Sequence, residues 1–471
     1  MKSSARLSSA PIARVLHLLL GVPLLCAAQG TSADGAAPAP QATLAVSRDW
    51  PQWRGPNRDG IALETNLARK WPQEGPPVLF TLRDLGTGWA SPAVVGKRLY
   101  IPGKQKEGFS IAAFDLNSRR QLWRTVCGGG GGFTTFPAEA ERQKKIGNTE
   151  IGSTGGGANA TPVVVGNRLY LMGPEGDVAA LDTESGRILW SKNLVREFHS
   201  NLQLGHYGYS EAPLIDGEKL IITPGMPDCL MVAIHKESGQ ILWRATYPPF
   251  GDKGEDKTAY SSCVVSEAGG IRQYVNLTGR GLVGVAAADG KFLWGYNRIA
   301  NRHTNIPTPV VRGDYVFCSN GYSTGTVLLK LSRDGRGGIK CEEVYYLNSK
   351  TAENQCGQYV LLGDFIYMAS GMYTGTPMCI EWSTGRIVWK ADERIGRGAV
   401  SVIAADGMLI FRSESHDVVL VEATPSGYHP ISRFKESIGR VPGSAHPVVA
   451  GGCLYLRDRD MLTCYDLTAR P

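Results

Sequence analysis

Apolar and polar positions alternate along this chain in short bursts, and no stretch carries the 3.6-residue spacing of a long amphipathic helix. One burst recurs: an apolar pair, a glycine turn, then an apolar strand. It reads Val94-Val95-Gly96-Lys97-Arg98-Leu99-Tyr100-Ile101 and again Val164-Val165-Gly166-Asn167-Arg168-Leu169-Tyr170-Leu171. Further copies lie at 214–221, 311–317, 361–367, 405–411 and 449–456, and a degraded one surrounds Gly269-Gly270. Each predicts two strands joined by a tight turn in which glycine takes a positive φ. Pro92, Pro162, Pro213, Pro309 and Pro447 precede five copies. Proline suits the first residue of a strand, which need not donate to the ladder.

A second pattern follows each turn, clearest in Ala180-Leu181-Asp182-Thr183-Glu184-Ser185-Gly186-Arg187-Ile188-Leu189-Trp190. Variants run at 113–123, where Arg119 replaces the glycine, and at 233–243, 287–294 and 379–389. Trp190, Trp243 and Trp294 are 53 and 51 residues apart, and Trp389 follows after 95, about two periods. Together the patterns predict four strands per unit and a period near fifty, the signature of a propeller blade. A tryptophan at a fixed place suits the gap between blades, where it buries about 150–250 Å². The eighth copy ends one strand short. Residues 75–82 align with 186–191 and put Phe80 near the tryptophan position, so a strand from the opposite terminus completes the ring and removes an exposed edge. The expected fold is all-β: an eight-bladed β-propeller with tryptophan-docking blades, closed by an N-terminal strand.

The first residues change the picture of where the chain works. Lys2, Arg6 and Arg14 precede the apolar run 15–25 and the small-residue exit Cys26-Ala27-Ala28, the order of a secretory signal peptide. The run is shorter than the roughly 20 residues that span a bilayer, so no integral membrane protein is expected. The expected organisation is a signal peptide at 1–28, a flexible linker at 29–49 and the propeller at 50–471, with a periplasmic or secreted location. The net charge of +7 falls to +4 once those three cations leave, too little to suggest a nucleic-acid binder. Nine cysteines then remain without any Cys-x-x-Cys spacing, so a four-cysteine zinc site is unsupported. Cys453 with Cys464 and Cys318 with Cys341 are candidates for neighbouring strands, with buried free thiols as the alternative.

A site is expected where the loops entering the innermost strands converge. That mouth holds Trp89, Asn159, Tyr260, His303, Asn305, Gln355, Arg397 and His446 as candidate cofactor-binding residues. Glu211, Asp252 and Glu255 are the candidate acids for a base or a Ca²⁺ ligand. The long stretch 127–157 is a candidate cap, and His199 and His206 lie in another loop feeding this face. Two motif matches carry no chemistry. Gly279-Arg280-Gly281-Leu282-Val283-Gly284 falls inside a blade with no helix to meet a pyrophosphate, and Gly321-Tyr322-Ser323-Thr324-Gly325 falls in a hairpin.

The Ala-x-Asp-x-x-x-Gly-x-x-x-Trp repeat resembles the docking blade of the pyrroloquinoline-quinone (PQQ) propeller superfamily. That superfamily includes quinoprotein alcohol dehydrogenases and the propeller lipoprotein of the bacterial outer-membrane assembly machine. The segment Trp50-Pro51-Gln52-Trp53-Arg54-Gly55-Pro56-Asn57-Arg58-Asp59-Gly60 is similar to the start of secreted bacterial PQQ-like repeat proteins. For a dehydrogenase the resemblance implies PQQ on the propeller axis over a tryptophan floor, Ca²⁺ held by acidic and amide ligands, and an Asp base. This chain has no adjacent cysteine pair, a feature of many such enzymes. Two functions follow. One is a noncatalytic exported scaffold that binds a ligand, a protein or a polymer on the propeller face. The alternative is a PQQ-dependent dehydrogenase oxidising an alcohol or sugar in the periplasm.

Overall fold

Eight sheets, each a four-stranded antiparallel blade, form an eight-bladed propeller in the computed structural model, which describes residues 48–128, 157–198, 207–258, 260–436 and 443–469. The expected signal peptide, most of the linker, residues 129–156 of the candidate cap 127–157, His199 and His206 lie outside the described residues. Six blades are consecutive four-stranded meanders, beginning with Ala93–Val95, Arg98–Gln105, Gly108–Asp115 and Gln121–Gly128. The seventh gains Ile61–Ala62 as a parallel strand along its innermost strand Val400–Ala405. In the eighth, Val78–Leu82 is the outermost strand, antiparallel to Met461–Asp466. The ring is thus closed by a strand from the opposite end of the chain, as the repeat count requires.

The outermost strands share one irregularity. A bulge precedes the residue that docks on the next blade, at Trp123, Trp190, Trp243, Trp294, Trp389, Phe80 and also Tyr345. The bulged residues are all apolar, and Leu79, Leu122, Leu242 and Val344 among them account for much of the exposed apolar surface. A bulge sharpens the twist and turns the following aromatic toward its neighbour. Glycine receives it: a Cβ on Gly186 would stand 2.5 Å from the Trp123 ring, and one on Gly239 would stand 2.9 Å from Trp190. Indole nitrogens then bond the neighbouring blade, Trp123 Nε1 to Thr183 O at 3.1 Å and Trp190 Nε1 to Lys236 O at 2.8 Å.

The rule has exceptions, among them Trp294, whose Nε1 donates to Gln273 Oε1 of its own blade at 2.6 Å. Arg119 takes the receiving position opposite Phe80, with φ at +61° and its guanidinium 5.6 Å above the Phe80 ring. Ser432 takes the docking position of blade seven. There Trp71, from the N-terminal segment, fills the gap: its amide donates to Ser432 Oγ at 2.8 Å and its ring meets Phe434 edge-on at 5.7 Å.

The cysteine expectations divide. Cys453 and Cys464 lie on adjacent strands, Cys453–Asp458 and Met461–Asp466. Cys318 and Cys341 do not, because Gly325–Arg333 runs between their strands. The period-based reading could not see that one whole strand separates them. The two dismissed glycine motifs fall at strand-to-strand turns, between Gln273–Thr278 and Gly281–Ala286 and between Tyr315–Asn320 and Gly325–Arg333.

Candidate functional site

The propeller axis is occupied by the protein's own chain. Residues 50–60 pass along the inner strands and touch seven of the eight blades. Trp50 pairs with Val94 through two backbone bonds of 2.7 and 2.9 Å, and Pro51 O accepts from Val164 N at 2.8 Å. Trp53 Nε1 donates to Thr308 Oγ1 at 3.0 Å, and its ring meets His446 edge-on at 4.8 Å. Arg54 donates to Tyr359 O and toward Gln358 Oε1, and Arg58 donates to Ala212 O and Pro213 O at 3.2 and 3.0 Å. Gly60 O accepts from Ala404 N at 2.8 Å before the chain leaves along blade seven.

A coil this tight needs unusual backbone. Arg54 and Arg58 both adopt left-handed φ, at +61° and +58°, and both side chains are buried. Burial pushes their guanidinium pKa values down, that of Arg58 to about 10. They remain cations because carbonyl oxygens at the ends of the inner strands accept hydrogen bonds from their N–H groups. Two buried arginines held this way fix the segment on the axis, since removing those carbonyls would strand a charge.

The acids sit apart. Glu211 is fully buried; it accepts from Thr223 N at 2.7 Å, Thr223 Oγ1 at 3.0 Å and Cys263 Sγ at 3.4 Å. Burial raises its pKa to about 7, against the pull of the Thr223 and Cys263 bonds and of the Arg58 charge. Asp252 and Glu255 are exposed, and Glu255 pairs with Lys257 at 3.4 Å. In the same loop, Asp256 is held below the usual carboxylate range by Arg280 at 2.7 Å. Among the described residues no group of three or more His, Cys, Asp or Glu is placed to hold a metal ion.

The other candidates divide between mouth and foundation. Asn305 is buried and structural: it accepts from Asn301 N and Asn320 Nδ2 at 3.1 and 2.6 Å. His446 lies against Trp53, its Nε2 3.0 Å from Cys356 O; burial, then the Arg54 and Arg412 charges, push its pKa down to about 3. Asn159 links the Trp89 amide to Tyr207 O. Arg397 is exposed, its backbone bonded to Ser415.

Trp89 and Tyr260 come together through Tyr207, and His303 and Gln355 through Tyr322, residues that sequence reasoning missed. Trp89 and Tyr207 rings stand 5.5 Å apart, and Tyr207 and Tyr260 rings 6.0 Å. His303 stacks on Tyr322 at 4.7 Å, and Gln355 Nε2 donates to the Tyr322 hydroxyl at 3.3 Å. Tyr322 is in turn hydrogen-bonded to Tyr373, which is 53% exposed. The result is two aromatic groups, Trp89–Tyr207–Tyr260 and His303–Tyr322, on loops that enter the inner strands and on a hairpin beside them. Tyr322 and Tyr373 sit on hairpins between second and third strands, outside the repeat motif that located the other loops.

The fold is shared with proteins of different chemistry. Similar solved structures include BamB from Moraxella catarrhalis (TM-score 0.55, 13% identity, 83% of this chain and 99% of that one). Another is quinohemoprotein alcohol dehydrogenase from Comamonas testosteroni (TM-score 0.57, 12% identity, 91% of this chain and 82% of that one). At these identities the likeness concerns the fold. The outer membrane protein assembly factor BamB of Shewanella oneidensis is 25% identical over 241 residues, 49% of this chain and 55% of that protein. The match therefore spans about half the length of that relative. The PQQ_2 family model, described as outer membrane protein assembly factor BamB, matches residues 85–391, and the chain belongs to that family.

Proposed function

We propose that this protein is an exported, noncatalytic propeller that binds a protein partner at the channel mouth or on a blade face. One observation carries the reading: residues 50–60 run along the inner strands of seven blades, on the axis where the resemblance implies a quinone. Trp53, Arg54 and Arg58 are fastened there by hydrogen bonds to the inner strands. The donor set fits a Ca²⁺-bound quinone poorly for a second reason. Glu211, the buried acid beside the axis, already accepts from Thr223 and Cys263, and Asp252 and Glu255 lie in an exposed loop. The assembly role printed for the relatives supports a protein partner, and the N-terminal sequence supports a periplasmic or secreted location.

In-cell photo-crosslinking tests the partner. A photoreactive residue is placed singly at exposed Leu122, Leu242, Val344 and Tyr373. At least one position is expected to yield a discrete adduct of reproducible mass. Absence of any protein adduct from all four positions would remove the reading.

A further inference from the structure

We propose that Cys453 and Cys464 are a redox pair that closes into a cross-strand disulfide and staples the closing blade. This goes beyond the scaffold reading and takes from it only the exported location, where disulfides persist. The first ground is register. Cys453–Asp458 and Met461–Asp466 are adjacent antiparallel strands in which Tyr455 opposes Cys464 and Cys453 opposes Asp466. Directly opposed residues share a face of the sheet, and so do residues two apart along a strand. Cys453, Tyr455 and Cys464 therefore stand on one face, with the cysteines as diagonal neighbours. Diagonal side chains are farther apart than direct partners. Here the two thiols nevertheless hydrogen-bond to each other, and the Tyr455 hydroxyl bonds both.

The second ground is the comparison among blades. The places of Cys453 and Cys464 hold Arg98 and Ala113 in blade one, Arg168 and Ala180 in blade two, and Lys219 and Ala233 in blade three. Arg98 and Arg168 reach Glu184 and Glu237 of the next blade. Blade eight gives up that cation and carries sulfur at both places. It is also the blade closed by a distant strand, in which Phe80 opposes Cys464. A disulfide here ties the strand that receives the closing strand to the middle of its blade.

The third ground is access and reactivity. Cys453 is half-buried and Cys464 is buried. The bond from Cys464 holds the Cys453 thiol below its usual pKa, against the effect of burial and with help from Tyr455. The thiolate is the nucleophile of thiol–disulfide exchange. The Cys453 thiolate attacks an incoming small-molecule or protein disulfide, forms a mixed disulfide and releases one thiolate. Cys464 then loses its proton and attacks the Cys453 sulfur, releasing the second. Two protein thiols become one disulfide, and their two electrons reduce the incoming disulfide to two thiols.

Disulfide mapping of the purified protein tests this, with oxidised glutathione as the probe after full reduction. Free thiols are alkylated under denaturing conditions and the chain is cut with trypsin after Arg440, Arg457 and Arg459, so that the two cysteines fall on peptides 441–457 and 460–471. The two peptides are expected as one linked pair that separates on renewed reduction. The oxidised protein should also unfold at a higher urea midpoint than the reduced one, because the crosslink restricts the unfolded chain. Cys464→Ala carries the residue that blades one to three have at that place; it should trap glutathione on Cys453 and abolish the rise in midpoint. Recovery of both peptides fully alkylated overturns the proposal, as does a link from either cysteine to a different one. A linked pair with no rise in midpoint overturns the stapling role. The reaction is run on the isolated protein, so its failure leaves the scaffold reading standing.

Discussion

A buried acid and a half-buried histidine pull the stability of the protein in opposite directions as pH changes. Glu211 has its pKa raised from 4.5 to about 7 and His446 has its own lowered from 6.5 to about 3, each mainly by burial. An acid with a raised folded pKa makes stability fall as pH rises from about 4.5 to about 7. A histidine with a depressed folded pKa makes stability fall as pH drops below about 6.5. Between about 4.5 and 6.5 the two slopes oppose each other. Glu211→Gln removes one, so the variant should lose stability relative to wild type as pH falls through that window, by up to about 1.4 kcal/mol per unit. Urea denaturation at pH 4.5, 5.5 and 6.5 reads the difference; parallel curves would refute the assignment. The identity of both residues was visible in the sequence, and their position before an inner strand was inferred correctly. Their roles were not visible, because Thr223, Cys263 and Trp53 come from other parts of the chain.

At the scale of the strand, the docking rule was legible wherever tryptophan and glycine kept their spacing, as at Trp123 with Gly186 and Trp190 with Gly239. It became illegible where another residue does the same job. Tyr345 docks against Gly385, where a Cβ would lie 2.7 Å from its ring, but tyrosine was not the residue the pattern sought. Ser432 could not be read at all, since its missing ring is supplied by Trp71 some 361 positions away. Trp71 is nearly fully buried between blades seven and eight, in contact with Phe434. Trp71→Ala should therefore cost about 3–5 kcal/mol, the range for a buried large aromatic. Chemical denaturation of the purified variant checks this. A loss below about 1 kcal/mol would mean that blade seven holds without the borrowed ring.

The whole molecule is a ring closed twice by its own N-terminal segment, at the rim of blade eight and along the axis. The rim closure followed from counting strands, because a blade one strand short has an open edge. The axial plug did not, since Trp50 to Gly60 has no repeat or alternation to place it. Its density of Trp, Arg, Gly and Pro was the available signal. Those residue types suit a coil with left-handed turns at Arg54 and Arg58, a ring against His446 and cations bonded to strand ends. The same fold therefore serves solved neighbours that are dehydrogenases and neighbours that are assembly factors. Fold alone therefore does not decide the chemistry, and the proposed reading rests on the segment that lines this protein's inner strands.

Calorimetric titration of the purified protein with PQQ in the presence of Ca²⁺, with dye-linked oxidation of alcohols and sugars followed in the same samples, tests that reading most directly. A plugged scaffold predicts no saturable binding of the quinone, an unchanged thermal midpoint and no turnover. One equivalent of PQQ bound per chain with substrate oxidation would contradict it.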